Sequence, residues 1–234
     1  MKKLIEILRR TSSEEEPWWQ TFEFVAEDEE ATVATALCEL NECADLHDAD
    51  GKSAEPIRWE CSCLQRKCGA CAMVINGTPR LACDTRLAEL RGERVRLEPL
   101  STFPVVADLI VDRDALMSKL RDAQAWLEDD AELADRRWNV AYDASRCLQC
   151  GCCLEVCPNF SVGSAFGGMA AMSTFARLLS EAPKEQRKQL ADSYRKTVYG
   201  GCAKSLACRN VCPAGLDLDG LLSRSNAAAI WHRW

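Results

Sequence analysis

Arg146–Pro158 reads RCLQCGCCLEVCP, and its cysteines are spaced to one pattern. Cys147, Cys150, Cys153 and Cys157 follow C-x2-C-x2-C-x3-C with proline after the last, a run that holds cuboidal iron–sulfur clusters. In that run the first three thiolates take three corners of one cluster, and the fourth reaches to another. A second cysteine set is therefore expected, and Cys202, Cys208 and Cys212-Pro213 supply it. By this exchange, Cys147, Cys150, Cys153 and distant Cys212 hold a [4Fe–4S] cluster, while Cys157, Cys202 and Cys208 hold the other. A fourth thiolate for that other cluster would stand three residues after Cys202. That position is Ser205. Three thiolates favour a [3Fe–4S] cluster with Ser205 at the vacant corner; a serine oxygen on a fourth iron is the alternative, and a poorer ligand for this chemistry.

Upstream lies a different constellation. Cys63, Cys68 and Cys71 follow C-x4-C-x2-C, and Cys83 completes the set, the spacing of a plant-type [2Fe–2S] ferredoxin loop. Asn76-Gly77 between CAMVI and RLAC signals a hairpin that folds Cys83 back toward Cys71. Four cysteines also suffice for a structural zinc, although zinc sites usually pair close cysteines two by two. Eleven of the fifteen cysteines are thus placed. Cys38 and Cys43 read as core or incidental thiols; Cys61 and Cys152 stand beside ligands, where either could tune a nearby sulfur by a weak hydrogen bond, and neither is given a specific role.

The rest of the chain divides by texture into an α+β whole. KLIEILR and WQTFEFV read as strands, with Phe22 and Phe24 on one face, and ATVATALCELNE as a helix burying Val33, Ala36, Leu37 and Leu40. Glu27 to Glu30 precede that helix, where negative charge is favoured. RVRLEPL reads as a closing strand, and Pro99 and Pro104 as punctuation. Beyond them Leu116, Leu120, Ala123 and Leu127 share one helical face and Leu190, Tyr194 and Val198 another, ended by Gly200-Gly201. KEQRKQ reads as a solvated helix face. The expected organisation is a [2Fe–2S] ferredoxin-like (β-grasp) domain over residues 1–104, then an all-α, bacterial-ferredoxin-like dicluster domain over 105–234.

Composition narrows the functional classes. Fifteen cysteines in 234 residues imply disulfides, metal or redox chemistry. The apolar part of MKKLIEILRR is brief and carries Glu6, and polar TSSEEE follows Arg9-Arg10, so no export signal is read there. Metal ligation in a reducing compartment is the expectation. FPVVADLIV is too short to cross a bilayer and contains Asp108. A formal charge of −7 without a basic stripe argues against nucleic acid, and so against an iron–sulfur sensor that reads it. His47 and His232 lie far in sequence from the cysteine sets and read as surface groups, not haem or metal ligands.

Across nearly its whole length the chain resembles the iron–sulfur subunit of succinate dehydrogenase and fumarate reductase. CGACAMVINGTPRLAC, RLEPLSTFPVVADLIVDR, CLQCGCCLEVCPNF and CAKSLACRNVCPAGLDL carry the likeness. The resemblance implies a wire between the FAD of a flavoprotein subunit and quinone in a membrane anchor, with [2Fe–2S] toward the flavin, [4Fe–4S] in the middle and [3Fe–4S] at the quinone side. It implies no catalytic residue on this chain, and a peripheral place on the cytoplasmic face of the bacterial cell membrane. The ubiquinone-linked branch has tryptophans after the first CP and a histidine after the first cysteine of the second run. Here Asn159-Phe160-Ser161 and Ala203 stand instead, which is more similar to the menaquinone-linked branch, whose anchor often carries b haem. Pro158 is the quinone-proximal residue that the resemblance carries over. Soluble relatives serving other flavoenzymes usually append further cysteine-rich modules, whereas Trp234 closely follows Cys212.

Overall fold

The structure, a computed structural model, describes residues 1–132 and 137–231. It comprises two compact units, Met1–Asp112 and Arg113–Trp234.

The first unit is built on β1 (Lys2–Arg9), β2 (Trp18–Val25), α1 (Val33–Glu42), β3 (Ala72–Ile75), β4 (Thr78–Leu81) and β5 (Arg94–Glu98). β1 and β2 form an antiparallel ribbon in which Ile5 faces Phe22, and Ile5, Ile7, Phe22 and Phe24 are buried. The sheet order is β2-β1-β5-β3-β4. β5 therefore runs through the centre, parallel to β1 and antiparallel to β3, where Val95 and Leu97 are buried. Helix α1 buries Val33, Ala36, Leu37 and Leu40 as its spacing predicts. Its start is set by a capping box: Thr32 accepts from the Thr35 N–H and Thr35 returns the bond to Thr32, each at 3.1 Å. The acidic run before it places no charge in the first turn. Asn76 and Gly77 have φ of +48° and +74°, the left-handed pair that a two-residue hairpin turn requires.

The boundary near Pro104 falls inside this unit. β6 (Val105–Ala107) and β7 (Ile110–Val111) form a ribbon whose turn residue Asp108 is buried against Arg9, 3.0 Å from its Nε. That buried pair joins the ribbon to the end of β1, which a reading of proline as punctuation does not anticipate.

The second unit packs α2 (Asp114–Asp122), α3 (Trp138–Ser145), α4 (Cys152–Glu155), α6 (Lys184–Tyr194) and α7 (Leu218–Trp231) against α5 (Gly168–Glu181). α5 is apolar or small on almost every side, GMAAMSTFARLLSE, as a helix enclosed by neighbours must be. Phe175 on α5 meets Tyr194 edge-on, ring centroids 5.9 Å apart. Two expectations change here. Leu127 does not continue the α2 face, because the helix stops at Asp122 and Gln124 turns left-handed at φ +50°. KEQRKQ is not wholly solvated either. Gln186 and Arg187 are buried, since the Gln186 amide donates to Trp126 O at 2.9 Å and accepts from Glu128 N at 3.2 Å, pinning that irregular segment. α6 ends in a π-helical turn over Arg195–Tyr199, which delivers Gly200, Gly201 and Cys202. Among the described residues, no helix is long and apolar enough to cross a membrane.

Candidate iron–sulfur sites

In the first unit, the segment between α1 and β3 carries Cys63, Cys68 and Cys71 on a loop kinked at Leu64, Arg66 and Gly69, with φ of +50°, +58° and +78°. These left-handed residues turn successive backbone N–H groups inward. Gln65 N and Lys67 N donate to Cys63 Sγ at 3.3 and 3.2 Å, and Arg66 N donates to Cys83 Sγ at 3.3 Å. The β3–β4 hairpin brings Cys83 back: Ala82 N donates to Cys71 O at 3.0 Å, and Arg66 pairs with Asp84 at 3.3 Å. Cys68 bonds the Cys63 thiol, and Cys71 lies beside Cys83 and Cys68. All four sequence-predicted thiols thus converge.

Their acidities diverge. The N–H groups of Gln65 and Lys67 pull Cys63 down to about 7, whereas burial pushes Cys71 up to about 12. In the cluster-free chain, alkylation of Cys63 is expected to be half-maximal near pH 7 and to fall about tenfold per pH unit below it, because the thiolate is the nucleophile. Cys71 should stay unmodified at pH 8. Peptide mass mapping after timed iodoacetamide treatment reads both, and equal labelling at pH 8 contradicts the assignment.

In the second unit, one small cavity is lined by Cys147, Cys150, Cys153 and Cys212, with Met169, Ala170, Leu216 and Leu218 among its apolar walls. Two sequence-distant runs therefore share a single cage. The Arg146 guanidinium joins them by donating to Ala214 O at 2.8 Å. Gln149, left-handed at φ +51°, and Gly151, at φ +90°, bend the run around the cavity. Burial raises the Cys147 thiol and, strongly, that of Cys153. Cys150 goes the other way, to about 7, chiefly through a hydrogen bond from Cys152. Cys152 itself is fully buried, and its thiol is held up first by that bond and then by burial. Ser173 on α5 lines the same cavity, its hydroxyl donating to Met169 O at 3.1 Å. The sequence leaves Cys152 as a thiol beside the ligands, able to tune a nearby sulfur by a weak hydrogen bond; folding sets Cys150 as its partner.

The third group is Cys157, Cys202 and Cys208. Burial raises Cys208 to about 11, and Cys157, Cys202 and Asp219 lie near it. Asn159 donates to Gly201 O at 3.0 Å, tying the segment after Cys157 to the residue before Cys202. Ser205 is exposed and lies between left-handed Lys204 and Leu206, φ +59° and +57°, and Pro158 is exposed. A Cβ on Gly201 would lie 2.5 Å from the Phe166 ring. Gly201→Ala should therefore cost about 1–3 kcal/mol and displace Cys202. The checks are a lowered melting temperature and a weakened three-iron EPR signal; neither changing would show that Phe166 yields freely.

Cys38 is half-buried, Cys43 and Cys61 are exposed, and exposed His47 bonds Asp45 O at 3.0 Å; His232 lies outside the described residues. Among the described residues, no three His, Cys, Asp or Glu converge closely enough to hold a single ion. Soft thiolates with backbone N–H groups and a buried thiol donor aimed at sulfur fit iron–sulfur clusters.

Residues 4–118 match the family described as 2Fe-2S iron–sulfur cluster binding domain, and residues 143–216 match the 4Fe-4S dicluster domain. The chain is 33% identical over 231 residues to the succinate dehydrogenase iron–sulfur subunit of Bacillus subtilis, covering 94% of this chain and 89% of that one. It is 33% identical over 190 residues to the fumarate reductase iron–sulfur subunit of Mycobacterium tuberculosis, covering 75% and 74%. Among solved structures, a chain of the Mycobacterium smegmatis Sdh1 complex in the apo form shares the fold, with a TM-score of 0.73 at 22% identity over 96% of this chain and 95% of that one.

Proposed function

This chain belongs to the family of succinate dehydrogenase and fumarate reductase iron–sulfur subunits, and from that premise we propose that it relays single electrons between the FAD of a flavoprotein subunit and menaquinone at a membrane anchor. Electron transfer in an oxidoreductase complex is the family's work. The supporting observation is the interlacing of two cysteine runs: Cys212 closes the cage of Cys147, Cys150 and Cys153, while Cys208 has Cys157 and Cys202 as neighbours. On this reading Cys63, Cys68, Cys71 and Cys83 hold [2Fe–2S], the four-thiol cage holds [4Fe–4S], and the three-thiol group with Ser205 at its vacant corner holds [3Fe–4S]. When bound, such clusters exchange one electron each, which lets a two-electron flavin be coupled to a two-electron quinone.

The chain's own residues do the placing and tuning. Met169, Ala170, Leu216 and Leu218 keep water from the cage, and low polarity favours the less charged state of whatever it holds. N–H donors at Cys63 and Cys83 in the first unit, and the Cys152 thiol in the second, stabilise negative charge on sulfur and so raise potential. No acid or base on this chain is needed, since the dicarboxylate chemistry belongs to the flavoprotein.

Asn159-Phe160 and Ala203, in place of tryptophans and a histidine, support menaquinone as the acceptor and an anchor carrying b haem. Exposed Pro158, adjoining Cys157, supports a quinone-proximal role for that residue. The chain is then peripheral, held by its anchor on the cytoplasmic face of the cell membrane. The test is affinity purification from detergent-solubilised membranes of the native host, followed by turnover of succinate and fumarate with menaquinone and ubiquinone analogues. An FAD protein and a haem-bearing membrane protein should co-purify, and the menaquinone analogue should be preferred. Purification without either partner would overturn the assembly, and a preference for ubiquinone the acceptor.

A further inference from the structure

Residues 54–60, which lead to Cys63 through Cys61 and Ser62, contain neither helix nor strand, yet side chains from three distant elements grip residues 55–58. The Arg9 guanidinium, at the end of β1, donates to Glu55 O at 3.2 Å and to Pro56 O at 3.1 Å. Asn41 on α1 holds Ile57 from both sides: its amide donates to Ile57 O and accepts from Ile57 N, each at 2.8 Å. Asp108 takes Arg58 N on one oxygen at 2.9 Å. Its other oxygen takes Arg10 N at 2.9 Å and lies 3.0 Å from Arg9 Nε. Leu109 N closes the set by donating to Arg58 O at 3.1 Å.

Stability alone is a weak reason for this arrangement. Arg9 is 4% and Asp108 1% exposed, and a buried ion pair is often no more stabilising than apolar residues of the same volume. Asp108 also adopts φ +42°, a conformation costly for a residue with a side chain. What directional bonds supply, and apolar packing does not, is a single position for an irregular backbone. At the far end of the cysteine loop β3 does that work, because Cys71 adjoins its first residue. At the Cys63 end no strand does.

We propose that Arg9, Asn41 and Asp108 are positioning residues of the [2Fe–2S] centre: they clamp residues 55–58 and so present the Cys63 sulfur to the cluster in one place. The inference rests on Cys63, Cys68, Cys71 and Cys83 being the ligands. The amide of an Asp108→Asn chain turns an N–H₂ toward Arg9 or a backbone N–H, and the clamp opens on one side.

The experiment uses the purified complex with all its clusters, following iron release to a ferrous chelator and the EPR line shape of each centre. Asp108→Asn should release [2Fe–2S] iron about tenfold faster, the range by which outer-shell partners of a metal site act, and broaden that centre's line shape. The two cuboidal signals should be unchanged. Asn41→Ala, which alters no charge, should act in the same direction and carries the test if the Asp108 variant does not assemble. Lys3→Met controls for stability, since Lys3 is buried in the same unit and donates to Leu90 O and Gly92 O at 2.8 and 2.6 Å. It should lower the melting temperature without hastening release. Wild-type release rates in both clamp variants would overturn the proposal, as would equal acceleration by Lys3→Met at a matched loss of melting temperature. A wild-type complex lacking the [2Fe–2S] signal would instead overturn the ligand assignment.

Discussion

Ser205→Cys is expected to convert the three-iron centre to a four-iron one. The oxidised-state EPR signal of the three-iron cluster should vanish, a reduced-state four-iron signal should replace it, and iron per chain should rise from three to four at that site. Ser205 is exposed and flanked by left-handed Lys204 and Leu206, so a sulfur replaces its oxygen without displacing packed neighbours. The added thiolate brings negative charge and favours the oxidised state, so the midpoint potential should fall by at least about 60 mV, the one-electron equivalent of a tenfold shift. Quinone-linked turnover should slow with it. Potentiometric EPR titration measures both, and an unchanged spectrum would place the vacant corner elsewhere.

Cys212→Ala and Cys157→Ala form a crossed pair with equally large effects. Cys212 lines the cavity shared with Cys147, Cys150 and Cys153, so its loss should abolish the four-iron signal and spare the three-iron one. Cys157 neighbours Cys208, and its loss should do the reverse. Either variant should cut succinate:quinone turnover by at least about 100-fold, since losing a ligand costs more than the 10–100-fold typical of an outer-shell partner. Dye-linked succinate oxidation, read directly at the flavoprotein, should persist. Swapped signals would mean that each run keeps its own cluster.

Much of the candidate site was legible because cluster ligation is encoded in spacing. A chain passing around a cuboid can present sulfur only at certain intervals, so the run at Arg146–Pro158 names its chemistry before any fold is known. The Asn76-Gly77 turn was legible for a similar reason: φ above zero at two successive residues selects those side chains locally. Helix α1 showed itself through Val33, Ala36, Leu37 and Leu40, whose spacing is a property of one segment alone.

Other features depend on partners far along the chain. That β5 lies at the centre of the sheet and parallel to β1 follows from which faces are buried together, not from RVRLE itself. Leu127 fits the periodicity of α2 and still falls outside it, because the helix ends at Asp122 and Gln186 holds the following backbone. Asp108 looked like a charge interrupting an apolar run, and Arg9 like half of an idle arginine pair. Only folding brings them within 3.0 Å and turns two isolated charges into a clamp.

The sequence by itself determined the family and the local turns around the cysteines, since these rest on short-range spacing and backbone conformation. The tertiary structure alone decided which buried donors reach the sulfurs, where the first unit ends, and what holds the backbone leading to Cys63. Those contacts join residues separated by tens of positions, and burial, which makes a hydrogen bond or charge pair matter, does not exist until the chain has closed around it.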